Sequence, residues 1–335
     1  MTPATNKSAS PILVLVAFAT VYIVWGSTYF FIQMAIQGIP PLLMGAMRFF
    51  TAGSLLLIWC AIKGEKLFNS NSIVTTAVTG ILLLCGGNGA VIWAEQKLPS
   101  AMVAILVSAA PIWFVLLDKQ SWGVNFKSKS TIAGLIVGFA GVILLFGEQL
   151  GPIFSGGSVV SKLSGMLLLI LGSISWSYGS LYAKHHPTEG SGTVNVAWQM
   201  IIAGLLFLPG SLINHEFDHL DLSQVPLKAW GALSYLIVFG SIAAYSAYVW
   251  LLQVRPATQV STYAYVNPVI AVMLGMFFAG EHVSILQISG LIIILGSVLL
   301  INLSKYRSTK SEIIIEPGNK EISVKSDGSL EECMK

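Results

Sequence analysis

From Pro11 onward the sequence is a succession of apolar stretches, each ended by only a few polar residues. A helix needs roughly 20 apolar residues to cross the hydrocarbon core of a bilayer. Inside that core every backbone N–H and C=O must be satisfied within the protein, so helices are the expected form. The stretches lie at 11–36, 40–62, 73–94, 99–117, 129–147, 163–183, 194–213, 228–252, 257–278 and 284–304. They predict an all-α membrane protein with ten transmembrane helices. Of the 335 residues, 55% are hydrophobic and 10% charged, against about 25% charged in a soluble domain. Most of this chain cannot face water. The connections are too short to hold soluble domains, and a scattered net charge of +3 is no nucleic-acid footprint. The first stretch is long and lacks a small-x-small cleavage site, so it reads as a span and not as a signal peptide. Cys60, Cys85 and Cys333 have no paired or metal-like spacing, and no metal or cofactor is expected.

Orientation follows from the placement of Lys and Arg, which favours the cytoplasmic side. With the N-terminus inside, the inner segments hold Lys7, Lys63, Lys66, Lys119, Lys127, Lys129, Lys184, Arg255, Lys305, Arg307 and Lys310. The outer loops hold Lys97, Lys162 and Lys228. Both termini are therefore expected in the cytoplasm, which requires an even number of spans. An internal repeat is also visible. An offset of 157 lays Ala90 on Ala247, Trp93 on Trp250, Pro99 on Pro256 and Pro111 on Pro268. An offset of 156 lays Gly134-Leu135-Ile136 on Gly290-Leu291-Ile292, and one of 151 lays Trp25 on Trp176. Five spans per half make the second half enter from the opposite side. The expected organisation is a cytoplasmic tail at 1–10, one five-helix half at 11–150, an inverted second half at 163–304, and a disordered cytoplasmic tail at 305–335. Inverted repeats of this kind are a hallmark of secondary transporters, with the substrate path between the halves.

Specific residues carry a resemblance as well. Trp25-Gly26-Ser27-Thr28-Tyr29, Pro40-Pro41 followed by Arg48-Phe49, and Gly280-Glu281 followed by Gly290 resemble the EamA-type drug/metabolite transporters. Gly87-Asn88-Gly89 with Ala94-Glu95, Ile174-Ser175-Trp176 and Tyr263-Ala264-Tyr265-Val266-Asn267-Pro268 are similar to the YedA-type exporters within that family. The resemblance covers residues 15–304. It implies ten helices in two inverted halves, a bacterial inner-membrane location, and movement of small metabolites or drugs, usually outward. The Asp118–Ser128 segment departs from the second half's Gly280-Glu281 turn, so a repeat partner for Glu281 is not assumed.

Polar and aromatic residues within the spans are the candidate cavity. Asn88 and Glu95 are seven apart, within about 20° around a helix, and intramembrane polar groups usually face water or a partner. Glu95 is the candidate proton site; alternatively it lies in headgroup water near Lys97. Arg48 lies well inside the second span and must snorkel, pair or face water, with Glu95 as the ion-pair partner to test. In the ninth span Thr258, Ser261 and Tyr265 form one stripe, and Tyr263 and Asn267 another. Their equivalents in the fourth span are mostly Ala or Leu. The second half is therefore expected to supply most substrate contacts, Tyr265 foremost, although such groups also join helices to one another. Pro111 and Pro268 remove backbone donors and free the carbonyls of Val107 and Ala264, either as gating bends or as static kinks. Trp25, Tyr29, Trp176 and Tyr178 suit a large or cationic substrate, and the same residue types anchor spans at the interface.

His215-Glu216-Phe217-Asp218-His219 matches the H-E-x-x-H pattern of zinc proteases. It lies in a short outer loop with no third ligand evident, and a solvated acidic loop is the expectation. With no P-loop, a non-enzymatic secondary transporter working by alternating access is the leading reading. Its expected partners are a small-molecule substrate, the lipid bilayer and protons as candidate coupling ion, in a monomer or weak dimer. A neutral, zwitterionic or cationic aromatic cargo such as an amino acid fits better than a sugar phosphate, because Arg48 is the one clear intramembrane base and phosphates call for several. A substrate-selective channel is the alternative, and an intramembrane zinc hydrolase a more distant one.

Overall fold

The computed structural model describes residues 10–98, 103, 106–145, 159–279 and 284–313. Every described element is helical. In chain order these are α1 (Pro11–Ile36), α2 (Pro41–Ile62), α3 (Ser70–Ala94), α4 (Ala110–Leu117), a short α5 (Trp122–Asn125), α6 (Lys129–Leu145) and α7 (Val159–His185). They continue as α8 (Gly192–Ile213), α9 (Leu227–Val254), a one-turn α10 (Ala257–Val260), α11 (Tyr263–Ala279) and α12 (Ile285–Ile313). α1 and α2 each open on a proline, whose missing N–H is not needed in a first turn. α3 opens after Asn69, whose side chain accepts from the Asn71 amide at 3.0 Å, as N-cap residues do. α12 continues past Ser304, the expected end of the last span, to Ile313.

Six of these helices are long and apolar enough to cross a membrane: α1, α2, α3, α8, α9 and Leu163–His185 of α7. The bent pair Lys119–Asn125 and Lys129–Leu145 adds a seventh if counted as one span, and Ile285–Ile301 is a shorter apolar helix. Large apolar side chains such as Ile12, Leu15, Trp59, Ile136, Leu171 and Ile292 stand on the outside of the bundle, where hydrocarbon is the solvent that suits them.

Two long seams hold the bundle together, α2 along α8 and α6 along α12. Each is made possible by small residues that let backbones approach. A Cβ on Gly53 would lie 2.6 Å from the Ala197 carbonyl oxygen, and one on Gly204 would lie 2.6 Å from the Phe50 nitrogen. Gly53 and Gly204 are separated by the offset that relates Trp25 to Trp176. In the other seam Gly134 faces Ile301 while Gly290 faces Leu145. All four obey the offset of 156. Each seam thus makes the same contact twice, once from either side.

α3 and α9 share a further device. Ile81–Asn88 in α3 and Leu236–Tyr245 in α9 are wound as π-helix, and the offset of 157 lays most of one on the other. π-Helical turns leave carbonyls out of the regular ladder, which is why they gather at functional sites. Here Trp25 Nε1 of α1 donates to the Gly240 carbonyl at 3.1 Å, and Ser175 Oγ of α7 donates to the Leu82 carbonyl at 2.8 Å. The first helix of each half is therefore tied to the π-helical segment of the other.

Candidate functional site

The crossing of α1, α3, α7 and α11 encloses a cavity with about 640 Å³ of empty volume, open mouth included. Trp25 and Trp176, equivalent residues of the two halves, meet there edge to face with ring centroids 5.4 Å apart. Trp25 also packs on Tyr248 at 4.9 Å and on Tyr263 at 5.0 Å. Hydrogen bonds fix these rings. Trp176 Nε1 donates to the Tyr248 hydroxyl at 2.9 Å, and that hydroxyl pairs with Ser180 Oγ at 2.6 Å. Tyr245 donates to Gln199 Oε1 at 2.7 Å. The rings thus form a rigid aromatic cluster with their polar handles satisfied, of which Trp25, Trp176 and Tyr263 line the cavity.

The remaining wall is largely apolar, with Ile32, Val91, Val107 and Leu169 among its residues, and carries a few polar groups that are incompletely satisfied. Arg48 is 2% exposed, so it points inward and does not snorkel. Its Nε donates to Ser241 Oγ at 2.8 Å, and its guanidinium lies over the Phe49 ring at 4.8 Å. Arg48 Nη1, Asn88 Oδ1, Ser173 Oγ and Asn267 Oδ1 all line the cavity without a hydrogen-bond partner among the described residues. Buried polar atoms are usually paired. Four without a partner among the described residues belong to residues around this single cavity. Glu95 stands just beyond the lining, 7% exposed, with neither carboxylate oxygen partnered among the described residues.

Of the residues expected from sequence, Trp25, Tyr29, Asn88, Trp176, Tyr263 and Asn267 line this cavity. Four others stand elsewhere. Tyr265, expected foremost, is fully buried away from it and donates to the Leu135 carbonyl at 2.9 Å, packing on α6. Ser261 is turned to the Thr258 carbonyl at 2.9 Å. The ninth span breaks at Ser261–Thr262, between α10 and α11, and on α11 the face of Tyr263 and Asn267 is opposite that of Tyr265. Tyr178 is 52% exposed on the outer surface. Glu95 and Arg48 attract one another, but no nitrogen–oxygen contact within 4.0 Å joins them.

The prolines have separate roles. Pro111 sits in the first turn of α4 after a break at Ser108–Ala109, where it interrupts no ladder. Pro268 lies inside α11, and the Ala264 carbonyl it frees accepts from Ser108 Oγ at 2.9 Å. Ser108 and Tyr265 are repeat equivalents, and neither faces the cavity. The expectation that the second half supplies most contacts is not how the cavity is lined. Arg48, Asn88, Trp25 and Tyr29 all come from the first half.

Glu216 of the H-E-x-x-H sequence is only 8% exposed. Its carboxylate accepts from the Leu42 and Leu43 amides at 3.2 and 2.8 Å, closing the N-terminus of α2. His215 pairs with Asp218 at 3.2 Å, and the His219 side chain lies outside the described residues. In the same connection the Ser223 hydroxyl holds the Asp221 carboxyl below its ordinary value. Glu281 and both tails also lie outside the described residues.

Sequence reading missed Tyr245 and Tyr248. The signal was present: the offset of 157 lays Asn88 on Tyr245 and Val91 on Tyr248. Both first-half residues line the cavity.

Helices that expose apolar side chains around a cavity rich in aromatic and unpaired polar groups define a multi-pass membrane transporter. The chain belongs to the EamA-like transporter family, whose profile matches it twice, over residues 12–147 and 163–303. It is 38% identical to the uncharacterized inner membrane transporter YedA of Escherichia coli strain K12, over 87% of this chain and 90% of that one. It is 25% identical to the protein PecM of Dickeya dadantii, over 83% and 88% of the two chains. A crystal structure at 18% identity shares the fold, with a TM-score of 0.73 over 89% of this chain and 99% of the other.

Proposed function

We infer that the protein is a secondary exporter of small organic metabolites or drugs, built as ten membrane spans in two inverted five-helix halves with both termini in the cytoplasm. The halves are residues 11–150 and 163–304. They rock about the α2/α8 and α6/α12 seams, exposing the cavity to one side of the membrane and then to the other. What supports the inverted arrangement is the pairing of equivalent helices across each seam, together with the reciprocal bonds from α1 and α7 to the opposite π-helical segment. An even repeat about a fixed central site is the geometry of alternating access.

The observation that carries the reading is the meeting of Trp25 and Trp176 in a cavity ringed by unpaired polar atoms. Such a wall suits an aromatic solute with hydrogen-bonding groups, an amino acid or a related metabolite. Reconstituted into proteoliposomes loaded with an aromatic amino acid, the protein should exchange labelled substrate by counterflow. Trp25→Ala and Trp176→Ala should each slow that exchange by about two- to tenfold, given about 0.5–1.5 kcal/mol for a lost aromatic pair. Wild-type counterflow from both variants would reject the cavity as the transport site, and flux without counterflow would favour a channel.

A further inference from the structure

The charges beside the cavity are arranged in a way that its aromatic wall does not explain. Arg48, a residue of the cavity lining, is buried with one neutral acceptor, Ser241, and an Nη1 that has no partner among the described residues. Glu95 is buried with no donor on either oxygen. The two attract one another, yet no contact within 4.0 Å joins them. A buried charge is costly unless paired and hydrogen-bonded, and here a guanidinium and a carboxyl group on neighbouring helices are each left with unpaired atoms among the described residues. The other titratable groups around this place are Tyr29 of α1, Tyr263 of α11, Tyr245 and Tyr248 of α9, and Cys85 of α3, which is turned to the Ala203 carbonyl. On α3 itself Lys97 turns away over the Trp93 ring at 3.9 Å. α8 has no titratable residue, and the part of α7 that lines the cavity, Leu169 to Trp176, has none.

We propose that Arg48 and Glu95 form a displaceable charge pair at which a monocarboxylate substrate enters together with one proton. This rests on the transport reading above and names its substrate class. The carboxylate docks on the free edge of the Arg48 guanidinium, a geometry suited to two parallel charge-assisted hydrogen bonds. Two carboxylates cannot share one guanidinium in a dry site without one taking a proton, and Glu95 takes it from the aqueous side. Asn88 and Asn267 offer amide partners for the rest of the solute, and the tryptophans hold its apolar part. Release reverses both events. Each cycle therefore moves one carboxylate group and one proton, with no net charge for a monoanion and one positive charge for a zwitterion. A phosphate dianion would need a second base, and Arg48 is the one basic residue in the described lining.

The test uses the purified full chain in detergent, with 3-phenylpropionate, L-phenylalanine and phenethylamine as probes. Calorimetry in two buffers of different ionisation enthalpy counts protons taken up on binding. The expected result is binding of the two carboxylates with about one proton each, and weak phenethylamine binding with none. Glu95→Gln should keep carboxylate binding and lose the uptake. Arg48→Gln should weaken it at least about tenfold, the scale of a lost charged hydrogen bond. Carboxylate binding without uptake by the wild type, uptake that survives in Glu95→Gln, binding of phenethylamine alone, or binding of no probe overturns the proposal. The wild-type comparison needs no variant, so it decides even where Arg48→Gln does not fold. Trp25-dependent counterflow of phenethylamine beside such a result would leave the transport reading standing and reject only the charge pair.

Discussion

Glu216 shows how a side chain's surroundings overrule the motif it sits in. As a sequence it is the central acid of a zinc-protease pattern; in the fold its two oxygens close the first turn of α2. Carboxylates at helix N-termini are favoured by unsatisfied amides and by the helix dipole. Glu216→Ala should therefore destabilise the protein by about 1 kcal/mol, the usual cost of a lost cap, and Glu216→Gln by less. Thermal melts in detergent measure this, and unchanged melting of the Ala variant would count against the capping role. Tyr248 makes the same point in reverse. Nothing in its immediate neighbours marks it, yet its hydroxyl joins Trp176 and Ser180 and its ring supports Trp25.

At the scale of elements, the spans differ in how regular they can be. α2 and α8 run on as α-helix through a close, repeated seam, α8 with Pro209 only in its last turns, and their glycines are placed where backbone meets backbone. Gly204→Leu must push Phe50 and its turn of α2 aside, an overpacking expected to cost about 1–3 kcal/mol. Gly231→Ala in α9 meets nothing within 4 Å and should be neutral or slightly stabilising, since alanine is the better helix former. Equal losses of stability at the two positions would contradict the seam. α3 and α9 are interrupted by π-helical turns, and the ninth span by the Ser261–Thr262 break. The α3 irregularity reaches the cavity through Gly87 and Asn88, and carbonyls of the two π-helical segments accept from Trp25 and Ser175.

The whole molecule has a second junction between the halves, far along α7 from the tryptophans. Asp118, at the end of α4, meets His185, at the end of α7, at 3.3 Å. Beside it Lys184 donates to the Leu252 and Arg255 carbonyls that finish α9. If the halves rock, this end must open once per cycle. Asp118→Cys with His185→Cys should form a disulfide under oxidation that stops counterflow, and reduction should restore it. Full counterflow with the disulfide formed, verified by mobility on a gel, would reject rocking at this end.

Much of this architecture was legible in the order of residues. Apolar runs of bilayer length leave helices as the only way to satisfy the backbone, and offsets of 151 to 157 residues, kept from Trp25 to Gly290, record the duplication. The inward place of Trp25, Asn88, Trp176 and Asn267 was readable too, because polar and large aromatic groups within a span need a reason to be there. Other features depend on atoms distant in the chain. Whether Arg48 snorkels or faces inward is set by Ser241 and Phe49. Tyr263 faces the cavity and Tyr265 does not because α11 packs with one particular face toward α1. A helical period states which residues share a face; only packing against the other half decides which face is the inside.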